Sequence, residues 1–347
     1  MITVADLLGK IDAGERLLLL DVRNDDEFTR WRVEGRHEVE TFHRPYFDFI
    51  NDDALLDAVP RDRGPIYAIC AKGDSSDLVA EMLRDRGADA QNVAGGMVAY
   101  GEYLQPVRVA DGIWQLNRRG KGCLSYVIER DGEAVVVDPS RNVDAYENFV
   151  ENLGARIVGV FDTHVHADHI SGGRELARRH DAKYGEECFG LHILHTPGHT
   201  PSSTSLLVGG RYLLTGDTLF VDSVGRPDLG GQVVEWGKML FNTLTQRIAG
   251  FDDDLVILPA HYASVAEIDG DGIVRGRLGH LRRTVPELQI KRESDFIAAI
   301  RKALKTPPAI YDEIIKVNLG ARSVGAEEAS EWELGKNECA AKAKKVA

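Results

Sequence analysis

No apolar run in this chain approaches the roughly 20 residues that a bilayer-crossing helix needs. The first residues, Met1-Ile2-Thr3-Val4-Ala5-Asp6, lack the basic stretch and apolar core of a secretory signal. Cysteine is scarce, with four in 347 residues. Cys70, Cys123, Cys188 and Cys339 are too widely separated for the framework of a small disulfide-stapled domain. Together these absences make a reducing cytoplasm the expected location. Positive charge is in deficit, 42 Lys and Arg against 55 Asp and Glu, for a formal net charge of −13. With no basic stripe, the balance argues against nucleic acid or an anionic membrane surface as the main partner. Low-complexity segments and internal repeats are missing as well. What remains is the composition of an ordinary soluble enzyme, 43% hydrophobic and 28% charged, long enough for two domains with their own cores.

The densest chemistry lies in Thr163-His164-Val165-His166-Ala167-Asp168-His169, directly after the apolar run Ile157-Val158-Gly159-Val160-Phe161. Neutral imidazole and ionised carboxylate are both metal ligands, and a buried strand end followed by a helix holds such a loop rigid. A solvated histidine-rich loop is the bland reading, and three downstream segments count against it. Thr196-Pro197-Gly198-His199-Thr200, Thr215-Gly216-Asp217 and Pro259-Ala260-His261-Tyr262 each follow an apolar β-like run, at residues 191–194, 212–214 and 255–258. Side chains delivered from several strand ends into one cleft are how a layered fold builds a site. In this order, the HxHxDH, PGH, TGD and PAH motifs resemble the metallo-β-lactamase superfamily over about residues 111–266.

The first hundred residues read differently. Residues 16–22 (RLLLLDV) and 66–69 form apolar runs suited to strands buried on both faces. Residues 75–86 carry Leu78, Val79, Met82 and Leu83 at helical spacing before Gly87. Short strands alternating with helices imply a parallel sheet in a small α/β domain. The boundary falls near Tyr103-Leu104-Gln105-Pro106, giving expected domains at 1–105 and 106–347. Cys70 stands between a strand end and a helix start, in Cys70-Ala71-Lys72-Gly73-Asp74-Ser75. Backbone N–H groups, the helix dipole and Lys72 would there stabilise a sulfur anion; an inert buried cysteine is the plain alternative. The Asp21-Val22-Arg23 stretch with Glu27-Phe28, the CxxGxS loop and Gly95-Gly96-Met97 together resemble a rhodanese domain over about residues 1–105. That resemblance implies a persulfide on Cys70, with Lys72, Gly73 and Ser75 binding substrate. Asp21 and Arg23 read as a structural ion pair or loop brace. The chain as a whole is thus expected to be α/β, a small parallel-sheet rhodanese domain followed by an αββα metallo-β-lactamase sandwich.

The superfamily resemblance leaves two metal readings open. Two zincs would be held by His164, His166 and His199 on one side and Asp168, His169 and His261 on the other, bridged by Asp217, for hydrolysis resembling glyoxalase II. Alternatively, one Fe(II) per chain would be held by His164, His199 and Asp217, leaving positions for a sulfur and O2. His166, Asp168, His169 and His261 would then orient ligands and solvent. The Gly225-Arg226-Pro227-Asp228 element and the THVHADHIS loop resemble persulfide dioxygenases. This resemblance implies oxidation of a low-molecular-weight thiol persulfide with O2 to sulfite. Thiosulfate or sulfite would be shared with the rhodanese domain, and a homo-oligomer is allowed. Arg226 is a candidate for binding a carboxylate of the thiol, with an ion pair to Asp228 or Asp222 as the equal alternative. A third reading, a sulfur carrier or sensor without catalysis, fits the ligand set least.

One region departs from the pattern. His169 and His199 lie 30 positions apart, fewer than in such dioxygenases, and a strand pair and loop are expected to be missing near residues 184–190, leaving the cleft more open. Residues 293–304 and 310–319 read as helices, and the superfamily resemblance implies that such a C-terminal part lies against the metal domain. Cys188 and Cys339 receive no role, and residues 342–345 read as a solvated tail.

Overall fold

The structure, a computed structural model, describes residues 1–188 and 191–341; the expected tail at 342–345 and the last two residues of the shortened patch lie outside these. Residues Met1–Gln105, with Arg118–Lys121 and Leu334–Lys336, make one compact unit, and the rest of the described chain makes the other.

In the first unit, strands β1 (Leu18–Asp21), β2 (Thr41–His43), β3 (Ile66–Ile69) and β4 (Ala90–Asn92) form a sheet in the order β2-β1-β3-β4. All three pairings are parallel. The continuous apolar character of β1 and β3 follows from burial on both faces. Leu19, Tyr67 and Ile69 join Leu7, Leu8 and Met97 on one side. Leu18, Leu20, Ile66 and Ala68 join Val79 and Leu83 on the other. Helices Val4–Asp12 and Gly96–Glu102 supply the first group, and helix Asp74–Asp85, which connects β3 to β4, supplies the second. Cys70 therefore sits at the carboxyl end of a central strand, just ahead of a helix.

The second unit contains two sheets. Strands β5 (Leu104–Ala110), β6 (Ile113–Arg118), β7 (Cys123–Arg130), β8 (Glu133–Val137), β9 (Arg156–Phe161) and β10 (Lys183–Tyr184) run in the order β10-β9-β8-β7-β6-β5. Strands β11 (His192–His195), β12 (Thr204–Val208), β13 (Tyr212–Gly216), β14 (Val256–Pro259) and β15 (Gly276–Arg277) form the other sheet in chain order. Period-2 alternation explains the layering. Leu214 and Leu258 meet Tyr126, Val135 and Val137 between the sheets. Their neighbours Leu213 and Ile257 face outward to Leu240, Phe296 and Ile300, which lie on helices Val233–Asn242 and Glu293–Ala303. Helices Val143–Asn152 and Gly173–His180 cover β9. The result is helix, sheet, sheet, helix. Leu258 is fully buried at the centre; Leu258→Ala is expected to cost about 2–5 kcal/mol, read as a lowered urea midpoint.

Between helix Gly173–His180 and β11 the described chain carries only the two-residue strand β10, parallel to β9. No helix among the described residues is long and apolar enough to cross a membrane.

Candidate metal and sulfur sites

Strands β8, β9, β13 and β14 all end at one edge of the sandwich, in the registers Val137↔Phe161 and Gly216↔Pro259. Asp138 follows β8 with φ of 52°, an uncommon backbone for a non-glycine residue. Its Oδ1 accepts from the Thr163 amide at 2.7 Å, and the Thr163 hydroxyl donates to the same carboxylate. That fixes the start of the histidine loop. Asn318 holds the rest: its Nδ2 donates to the carbonyls of His166 and His169, and its Oδ1 accepts from the Ser171 amide. On β13, a register shift precedes Gly216, whose φ is +51°. A Cβ there would lie 2.5 Å from Thr163 Oγ1, so glycine lets Asp217 come up against the loop.

These constraints bring three atoms together. His164 Nε2 and His199 Nε2 lie 3.6 and 3.5 Å from Asp217 Oδ2. All three are buried and without a hydrogen-bond partner, an arrangement that is costly unless something else binds them. The opposite atoms are engaged. His199 Nδ1 donates to the Arg226 carbonyl at 2.8 Å, and His164 Nδ1 meets the Thr163 hydroxyl at 2.9 Å. Each contact fixes a tautomer that turns the Nε2 lone pair inward. Asp217 Oδ1 pairs with His261 Nδ1 at 2.5 Å. Burial, reinforced by His166, holds His164 well below the ordinary histidine range, and burial lowers His199 too. Burial opposes ionisation of Asp217, but His261, His164 and His199 outweigh it and depress its carboxyl. The set is thus neutral imidazole, neutral imidazole and carboxylate, the states a metal requires.

The other expected ligands form separate groups. Cys123, Asp168, His169 and His261 place one donor atom each within 4.8 Å of one another. Asp168 is already engaged: Cys123 Sγ donates to Oδ2 at 3.1 Å, His169 Nδ1 is 3.1 Å from Oδ1, and His261 Nε2 is 3.0 Å from Oδ2. Burial works against charge on His169, yet Asp168 raises its pKa to about 10. His166 turns its Nε2 to Asp138 at 3.1 Å and stands with Asp138 and Asp162, while its Nδ1 has no partner. Arg226 is only 2% exposed. Its guanidinium grips Asp228 with Nε at 2.7 Å and Nη2 at 2.8 Å, and donates to the carbonyls of Glu338 and Lys305. This is the ion-pair alternative, with a bidentate geometry that leaves the fork occupied.

In the first unit, the Gly73 amide and the Ser76 hydroxyl both donate to Cys70 Sγ, at 3.0 and 3.1 Å. Ser76 is held by Asn92 at 2.7 Å. The Cys70 and Ala71 carbonyls accept from the amides of Met97 and Val98. Gly96 makes this possible, since a Cβ there would lie 2.3 Å from the Cys70 carbonyl oxygen. Lys72 is exposed and Ser75 half-buried. Asp21 and Arg23 form a buried ion pair at 2.6 Å, and Arg23 also donates to the Trp31 carbonyl, the brace expected from the sequence.

Comparison with known proteins follows the same division. The metallo-beta-lactamase superfamily profile matches residues 118–187 and 182–261, and the rhodanese-like domain profile matches 3–103. The hydroxyacylglutathione hydrolase of Anaeromyxobacter dehalogenans (strain 2CP-C) is 31% identical over 199 residues, spanning 49% of this chain and 75% of that protein. The chain belongs to the metallo-β-lactamase superfamily. A rhodanese-like domain precedes the lactamase-fold domain, and both are of enzyme type. The mitochondrial persulfide dioxygenase ETHE1 of Bos taurus is 26% identical over 210 residues, covering 54% of this chain and 78% of that protein. The crystal structure of ETHE1 from Myxococcus xanthus superposes with a TM-score of 0.53 at 26% identity, covering 60% of this chain and 97% of that one. The two matched pieces of the lactamase fold overlap at residues 182–187, which include β10.

Four groups were not singled out from the sequence. Ser76, not Ser75, faces the thiol, because one residue along a helix turns the side chain by about 100°. Asp138 could have been found as the acid ending the run Ala134–Val137. Cys123 and Asn318 carry no local signal, since their partners lie 45 residues or more away. Asp138→Asn is expected to weaken metal binding by about 10–100-fold with the ligands intact, measured by competition with a chromophoric chelator.

Proposed function

We propose that this protein is a persulfide dioxygenase with one Fe(II) per chain, held by His164, His199 and Asp217 and coupled to sulfur transfer at Cys70. The observation that carries the reading is the convergence of the three buried, unpartnered atoms His164 Nε2, His199 Nε2 and Asp217 Oδ2. They fit the two-histidine, one-carboxylate donor set of non-haem ferrous oxygenases. When bound, the ion would supply positions for a persulfide sulfur and O2 side by side. The chain's own groups prepare that chemistry. Thr163 and the Arg226 carbonyl orient the two imidazoles, His261 steadies the second oxygen of Asp217, and the sandwich keeps bulk water out. The overall change is RSSH + O2 + H2O to RSH + sulfite + 2H+, with four electrons passing from the terminal sulfur to dioxygen.

In the rhodanese domain, the Cys70 thiolate would take sulfane sulfur from thiosulfate, releasing sulfite, or pass it in the opposite direction. Gly73 and Ser76 donate to the sulfur as its charge changes. Thiosulfate, sulfite and low-molecular-weight persulfides are thus common to both domains. The second reading, a dinuclear zinc thioester hydrolase, draws on the cluster of Asp168, His169 and His261. An oxygen electrode separates them. Glutathione persulfide is expected to drive O2 uptake with sulfite formed one for one; cleavage of S-lactoylglutathione without O2 uptake would overturn the oxidation reading.

A further inference from the structure

A cleft of about 120 Å³ opens beside the metal-binding loop, with Asp162, His164, Arg174, Tyr184 and Asn318 among its walls. His164 thus faces two ways: its Nε2 belongs to the triad and its ring borders the cleft. Arg174 projects from the first turn of helix Gly173–His180. Its guanidinium lies 5.3 Å from the centre of the Tyr184 ring, a cation–π contact. Tyr184 is fixed in turn, donating to Asp162 Oδ2 at 2.7 Å. That oxygen also accepts from Ser171. Among the described residues Arg174 has no carboxylate partner. Its neighbours differ. Arg178 and Arg179 are both neutralised by Glu175, at 2.8 and 2.9 Å, and Arg226 is taken by Asp228.

The geometry points to Arg174 as the residue that reads the carboxylate of the thiol substrate, seated in this cleft while its sulfur lies at the triad. The assignment rests on the proposed oxidation of a thiol persulfide and moves the carboxylate-binding role from Arg226 to Arg174. A planar guanidinium backed by an aromatic ring, with no carboxylate paired to it among the described residues while Asp162 in the same cleft is engaged by Tyr184 and Ser171, is suited to a carboxylate fork. With about 120 Å³ of space, the cleft is assigned one end of the thiol and not the whole molecule. Val317 and Leu319 give its far wall an apolar surface against which the methylene part of such an end can lie.

The test uses the full chain with glutathione and glutathione dimethyl ester in calorimetric titrations, and with glutathione persulfide in oxygen-electrode assays. Arg174→Ala is expected to weaken glutathione binding, and raise KM for the persulfide, by about 10–100-fold, with kcat within about two-fold. The ester is expected to bind the unaltered protein as weakly as glutathione binds the variant, and Arg174→Lys to recover part of the loss. Equal affinities for glutathione in the two proteins, or no binding to the unaltered one, would overturn the assignment. Loss of O2 uptake with the affinity difference intact would instead overturn the oxidation reading and leave the carboxylate site standing.

Discussion

Asp217→Asn is expected to empty the metal centre and end O2 consumption in a protein that still folds. The change keeps the shape and removes the one negative charge that faces the two lone pairs of His164 and His199, 3.6 and 3.5 Å away. A divalent ion would then have two neutral ligands in a buried site with nothing to offset its desolvation. Loss of an outer partner costs about 10–100-fold in affinity or activity, and loss of a ligand should exceed that. Iron content should fall below about a tenth of an equivalent. O2 uptake with glutathione persulfide should fall by more than about 100-fold, with circular dichroism unchanged. A variant that keeps its iron and its activity would remove Asp217 from the ligand set.

The second large effect separates the two domains. Cys70→Ser is expected to lower thiosulfate:cyanide sulfurtransferase activity by about 1,000-fold or more, in line with what loss of a nucleophile does elsewhere. The serine hydroxyl can still accept from Gly73 and Ser76, so the loop survives, but it is not ionised near neutral pH and cannot hold sulfane sulfur. O2 uptake with added glutathione persulfide should stay within about two-fold of the unaltered protein. A parallel collapse of both activities would contradict independent sites, and retained sulfur transfer would deny Cys70 its role.

The parts of this molecule legible in its sequence are those in which one short segment carries both the structure and the chemistry. The apolar runs at residues 66–69 and 157–161 are strands because both faces are covered, and the loop after each is where Cys70 and His164 stand. Asp217 follows the buried strand β13 in the same way, whereas β11 ahead of His199 is an edge strand with His192 and His195 exposed, and His199 was legible from its PGH motif. The hydrogen bonds that aim these groups were not. Asp138 acts across 25 residues on Thr163, and Asn318 across about 150 on the histidine loop. Such pairings are set by how strands and helices stack, which no local pattern records. Arg226 shows the converse: a guanidinium beside a metal motif looks like a substrate group until Asp228 and two carbonyls are seen to occupy it. Arg174 carries no local signal because its significance lies in having no carboxylate paired to it among the described residues, although Glu175 is next in sequence and Asp162 lines the same cleft.

The most direct measurement is the metal content of full-length protein purified without air and shown to be active with glutathione persulfide. Mass spectrometry of the metals, paired with electron paramagnetic resonance of the nitric oxide adduct, reads both number and identity. One ferrous ion per chain, lost in Asp217→Asn, is the result expected here. Two zinc ions per chain in protein of full activity would contradict the account.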